Sequence, residues 1–214
     1  MAQGGPGFHP PQSGFGGAGG LEKKLQEVVS ERLREPAAQG KRPRLMFQDE
    51  ARFGRMARPK RCWAPPGMRP VMPSGYEREF TYVYGAVSPL EGEMEYRLCD
   101  KMNTENMGLF LAQVSGRYPD DYLLMVLDGA SSHKAKALAI PANITLITLP
   151  PYAPQLNPQE HVWDELREKE FPNKVFSTMQ GVLTQLTTGL QKMCADAAAI
   201  TSLTAWPWIR LISF

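Results

Sequence analysis

The chain has 214 residues with 24 Lys and Arg against 22 Asp and Glu, a net charge of +2. That length suits one sizeable core, or one domain with a short appendage. Three widely spaced cysteines without a CxxC pair argue against a disulfide framework or a zinc ribbon and fit a reducing cytosol. No apolar stretch reaches the roughly 18 residues of a membrane span, and no signal-peptide pattern opens the chain. The expectation is a cytoplasmic protein without a membrane partner.

Residues 1–20 are rich in Gly and Pro and nearly uncharged, which predicts a disordered tail. Leu21, Leu25, Val28, Val29 and Leu33 then recur at helical spacing, predicting a leading helix to about Arg34, ended by Pro36 and Gly40. Residues 21–40 form this helix and its linker, and residues 41–214 form the main domain. Leu45 to Phe47 leads a first strand, and Arg61-Cys62-Trp63 reads as a second strand or hairpin arm. Phe80 to Val87 is rich in β-branched and aromatic residues and predicts a strand, paired across the Pro89–Gly92 turn with Glu93 to Leu98.

Thr104 to Tyr118 predicts a helix with Thr104 as N-cap and Met107, Phe110, Leu111 and Val114 as its apolar stripe. Tyr122 to Leu127 is a strand covered on both faces. A short helix around His133–Ala139 follows, then a strand from Ile144 to Leu149. A Pro-rich turn leads into a helix over Pro158–Glu170, and a final helix covers about Thr178 to Ala195. The order predicts an α/β domain, a mixed sheet flanked by helices.

Charge is unevenly placed. Nine basic residues lie between Lys41 and Arg69 against Asp49 and Glu50, leaving the rest of the chain net acidic. A solvated basic loop is one account, and a site for a polyanion is the other. Arg52, Arg55, Arg58, Lys60 and Arg61 are the candidate backbone contacts. They would confer affinity and salt dependence with little sequence readout.

Three acids carry the candidate chemistry. Asp49 and Asp128 follow short apolar runs read as buried strands, and Glu160 opens a helix. Buried carboxylates need partners, and divalent cations are the usual ones. Two-metal phosphoryl transfer needs a few carboxylates converging on two ions, and three suffice for Mg²⁺. Each acid has a rival account. Asp49 also fits an exposed strand position, with Glu50 on the opposite face. Asp128-Gly129 also fits a turn. Glu160 equally fits a capping box with Asn157 as N-cap and Pro158 at N1, which would commit its carboxylate to an amide. The joint placement favours the metal reading. Zinc held by His133 and His161 lacks the usual ligand spacing, so His133 reads as a group behind the ligands or on the phosphate side, and His161 as a packing residue. Trp63 fits either base stacking or hairpin packing.

The blocks Phe47-Gln48-Asp49-Glu50-Ala51-Arg52-Phe53-Gly54, Cys62-Trp63-Ala64-Pro65-Pro66-Gly67, Tyr84-Gly85-Ala86-Val87 and Leu127-Asp128-Gly129-Ala130 with His133 resemble a known family, as does Leu149 to Trp163 with its Asn157-Pro158-Gln159-Glu160 core. The family is the mariner-like branch of the DDE transposases of bacterial insertion sequences. The resemblance implies an RNase H-like catalytic domain that cleaves and joins DNA at element ends and in target DNA. It also implies two Mg²⁺ or Mn²⁺ ions, with Asp49, Asp128 and Glu160 as the acid triad, and a homodimer is compatible with it. Such transposases begin with a helix-turn-helix region; the Gly-rich tail in its place implies N-terminal truncation. Ser131-Ser132 stand where relatives often carry a bulky aromatic. The alternative from another class is a noncatalytic DNA-binding remnant of a decayed transposase.

Overall fold

A computed structural model describes residues 18–56, 60–61, 63–68, 70–71, 75, 77–129, 138–150 and 153–212. Five strands form one sheet in the order β3-β2-β1-β4-β5. They are β1 (Arg42–Gly54), β2 (Phe80–Ser88), β3 (Glu93–Cys99), β4 (Asp121–Leu127) and β5 (Ile144–Thr148). β1, β2 and β3 run antiparallel in sequence, while β4 lies parallel to β1 and β5 parallel to β4. The sheet is therefore mixed. Helices are α1 (Ala18–Ala38), α2 (Thr104–Arg117), α3 (Pro158–Glu170), α4 (Met179–Cys194), α5 (Ala197–Thr204) and α6 (Pro207–Arg210).

Strand alternation sorts β1 onto two cores. Leu45, Phe47, Ala51 and Phe53 join a large cluster that takes Leu25, Val29 and Leu33 from α1, Val162, Trp163 and Leu166 from α3, and Val182, Leu186 and Leu190 from α4. Thus α1 is built into the same core as the sheet. Met46 faces the other way, into a smaller cluster with Tyr84, Ala86, Leu123, Met125 and the α2 stripe Met107, Phe110, Leu111 and Val114. Among the described residues, α2 covers that face, and α1, α3 and α4 cover the first.

The predicted strands β2 to β5 and helices α2 to α4 are present with small shifts at their ends. Four differences have physical causes. First, α1 runs through Pro36 to Ala38. It stops in a Schellman turn, with Gly40 at φ 76°, the Gly40 amide on Ala37 O and the Lys41 amide on Pro36 O, both 3.0 Å. Second, α2 is capped by Asn103, whose Oδ1 accepts from the Asn106 amide at 2.8 Å; Asn caps at least as well as Thr, so Thr104 becomes the first helical residue. Third, Arg61 and Trp63 lie outside any strand, beside prolines that cannot join a ladder, and Cys62 is outside the described residues. Fourth, α5 follows Asp196, whose carboxylate caps the Ala199 amide at 2.9 Å, and α6 starts at Pro207. The predicted tail over residues 1–20 gives up its last three residues, which form the start of α1, while residues 1–17 and most of the predicted short helix near His133 lie outside the described residues. Among the described residues no helix is long and apolar enough to cross a membrane.

Candidate active site

The site forms where β1 outruns β4. Their ladder covers Arg42 to Phe47 on β1 and ends at the pair Phe47–Val126. Beyond it β1 continues to Gly54 with β2 as its one strand neighbour. Asp49 lies two residues past the last rung, and Asp128 two residues past Val126. Parallel neighbours are about 4.8 Å apart, so this register sets Asp49, within β1, level with Asp128, just past the end of β4. Asp49 shares its face with Leu45, Phe47 and Ala51, whereas Glu50 turns toward the α2 side.

α3 brings the third acid, and Asn157 fixes the helix to the strand. The Asn157 side chain accepts from the Gln159 amide at 3.1 Å and donates to the Gln48 carbonyl at 2.9 Å. The Asn157 amide donates to Pro154 O at 2.9 Å, so the amide that a capping box would offer to Glu160 is taken. One turn on, Trp163 is fully buried, and its Nε1–H donates to Asp49 Oδ2 at 3.0 Å. Gly85 makes this reach possible. It pairs with Asp49 across the ladder, and a Cβ there would stand 2.5 Å from the indole of Trp163 and 2.8 Å from Gln159 Nε2.

Electrostatics link the three acids. Asp49 is 8% exposed, and its pKa is pushed from 3.8 up to about 8. Burial is the main cause, followed by the charges of Glu160, Glu50 and Asp128; a hydrogen bond with the Glu50 backbone pulls the other way. Glu160 is raised too, by burial first and then by Asp164 and Asp128, against Arg167 and His161. Asp128 thus acts on both of the others. Among the described residues no three His, Cys, Asp or Glu side chains are gathered tightly enough to hold a metal ion as they stand. The chemistry of the donors nevertheless fits a hard divalent cation. They are carboxylates within electrostatic reach of one another, and one of them, Asp49, is pushed above neutrality by burial first and by the others' charges second.

The predicted basic contacts differ among themselves. Arg52 is exposed, with its guanidinium 4.4 Å over the Phe80 ring. Arg55 is engaged inside the protein, with Glu79 at 2.7 Å, Glu77 at 3.7 Å and the Phe176 carbonyl at 3.1 Å. Lys60 meets Glu168 at 3.3 Å, and Arg61 is exposed. Arg58 and His133 lie outside the described residues. His161 packs edge-on to Trp206 with centroids 4.9 Å apart, and Trp63 is fully exposed.

Sequence reasoning gave no role to Trp163, Gly85, Gln48 or Gln159. The two glutamines are wholly buried beside Asp49 and Glu160, and their side-chain amides have no hydrogen-bond partner among the described residues. The available signal was the Pro-Gln-Glu-His-Val-Trp run, in which Glu160 and Trp163 stand three apart on one helical face.

A five-stranded mixed sheet in the order β3-β2-β1-β4-β5, with helices packed on its faces, defines a class: an RNase H-like fold. Residues 44–181 match the model of the DDE superfamily endonucleases, and the chain belongs to that family. An uncharacterized protein, y4pE/y4sA, of Sinorhizobium fredii (strain NBRC 101917 / NGR234) is 33% identical over 131 residues, which is 60% of this chain and 96% of that protein. The fold is similar to that of the Mos1 mariner transposase. In its paired-end complex with Mn the TM-score is 0.56 at 16% identity, and in its paired-end complex with the left transposon end it is 0.55 at 14%. Both matches cover 96% of this chain and 68% of the other.

Proposed function

We propose that this chain cleaves and joins DNA phosphodiesters as the catalytic domain of a transposase, with Asp49, Asp128 and Glu160 as its metal-holding triad. One observation carries the reading: a buried Asp49 faced by the charges of Glu160 and Asp128, in a fold and family of DNA endonucleases. Mos1 paired-end complexes of similar fold are with Mn and with Mg, which supports a divalent ion here. Two such ions, when bound, would activate the attacking water or 3′-hydroxyl and stabilise the leaving oxygen. The chain's own contribution is position and charge. Trp163 holds Asp49 in one orientation, Asn157 holds the start of α3 against β1, and burial keeps water from competing at Asp49. Asp49 gives up the proton that its raised pKa retains when a cation takes its place. Arg52 and Arg61 offer charge to the DNA backbone.

The second reading is a noncatalytic DNA-binding remnant. It is favoured by the absence, among the described residues, of a gathered ligand set. Nicking of supercoiled plasmid in Mn²⁺ separates the two readings. Wild type is expected to nick and Asp128→Asn to fail; equal nicking by both would leave only the remnant.

A further inference from the structure

Past the carboxylates, the end of β1, the start of β2 and the later turns of α3 enclose a cavity of about 450 Å³. Pockets of this size accept small ligands. Its floor is aromatic, with ring centroids 5.0 Å apart between Phe53 and Phe171 and 5.7 Å apart between Phe171 and Phe176. Its rim is cationic. Arg167 pairs with Asp164 and Lys60 with Glu168, each at 3.3 Å, so the two rim acids are already answered. Arg52 and Lys174 meet no carboxylate at ion-pair distance among the described residues and leave a positive surplus.

Flat rings below and spare cations above suit one chemical class. A nucleobase packs its π-face on aromatic side chains, and the attached phosphate pairs with Arg and Lys. The cavity lies further along the same two elements as the acids: Arg52 and Phe53, from opposite faces of β1, both line it beyond Asp49, and Arg167 lies about 10 Å along α3 from Glu160. A base inside a duplex is stacked and cannot enter such a cavity, so the occupant must have left the stack.

We infer that this cavity holds one unpaired nucleotide of the DNA strand being processed, its base against Phe171 and Phe176 and its phosphate on Arg52 and Lys174. The inference rests on the DNA reading above and adds a substrate state to it: DNA with a locally opened end.

The test is equilibrium binding of the full chain, in EDTA, to three duplexes of one sequence. One is blunt, one has a short 3′ overhang, and one has the same overhang without bases. Wild type is expected to bind the intact overhang about tenfold more tightly than the abasic one, as base–aromatic stacking gives. A 2-aminopurine in that overhang is expected to lose emission on binding. Phe176→Ala should bring the ratio near one without weakening the blunt duplex, and Lys174→Glu should weaken intact and abasic overhangs alike. Equal wild-type affinity for the two overhangs, with unquenched 2-aminopurine, would overturn the inference while the DNA reading stood. A preserved ratio in folded Phe176→Ala would overturn the assignment to this cavity. Binding to none of the three would remove the DNA reading and this inference with it.

Discussion

Arg44 sits near the start of the sheet's central strand and Asp49 just past the far end of that strand's ladder with β4, both buried, one matched and the other opposed. Arg44 is 3% exposed, 2.7 Å from both Asp121 and Glu93, with its guanidinium 4.0 Å over the Tyr118 ring. Burial works against its charge, but Asp121, Glu91 and Glu93 outweigh this and raise its pKa. Asp49 has the Trp163 indole and the Glu50 backbone on its side, and burial first and then three carboxylates against it. The first end is complete without any ligand. The second holds a carboxyl that burial and like charges both disfavour as an anion, a cost that a cation would relieve, as functional sites commonly show.

The largest effect should come from the opposed end. Asp49→Asn and Asp128→Asn should each lower Mn²⁺-dependent nicking by at least about a hundredfold, the scale of losing a preorganised charge contact. Wild-type rates in either variant would detach that residue from the chemistry. At the matched end, Arg44→Ala strands Asp121 and should cost about 3 kcal/mol, or roughly 10 °C in Tm. Nicking per folded molecule should stay level, and a selective loss of nicking would show that the two ends are not separate.

Gly85→Ala tests the bridge between strand and helix. The added methyl must push the Trp163 indole from Asp49, at about 1–3 kcal/mol of overpacking. Nicking should fall further than Tm predicts; normal nicking would mean that the Trp163 contact is dispensable.

The smallest effect is pH-dependent. With Asp49 titrating near 8 when folded and at 3.8 when unfolded, the folded state holds the extra proton between those values. Stability is therefore greatest below the lower value and falls as pH rises toward the upper one. In EDTA, Asp49→Asn should match wild type near about pH 4 and exceed it by a few degrees in Tm near about pH 8. Parallel curves would show that Asp49 is not strained.

Legibility in the sequence followed local pattern. The α2 stripe and the apolar run of β4 were readable because each element buries what its own periodicity displays. β1 was harder, since Arg44, Gln48, Asp49 and Arg52 interrupt thirteen residues of strand, and their compensation lies in distant elements. α5 and α6 are short and owe their form to packing of Ile200, Trp208 and Ile209. The three acids could be picked out from the elements they follow. Their support could not: Trp163 and Asp49 are 114 residues apart in sequence, and an indole on the apolar face of a charged helix reads as core until its partner is known.

The Asn157 side chain, bonded to the main chain of β1, has a mechanical consequence. Glu160 and Asp49 ride on two elements pinned together within a few residues of each acid, by Asn157 on one side and Trp163 on the other. Asp128 hangs on the end of a different strand, past its last rung with β1. In the proposed site, Glu160 and Asp49 are therefore held to one another as a unit, and a shift of α3 against β1 would have to break both links before it separated them.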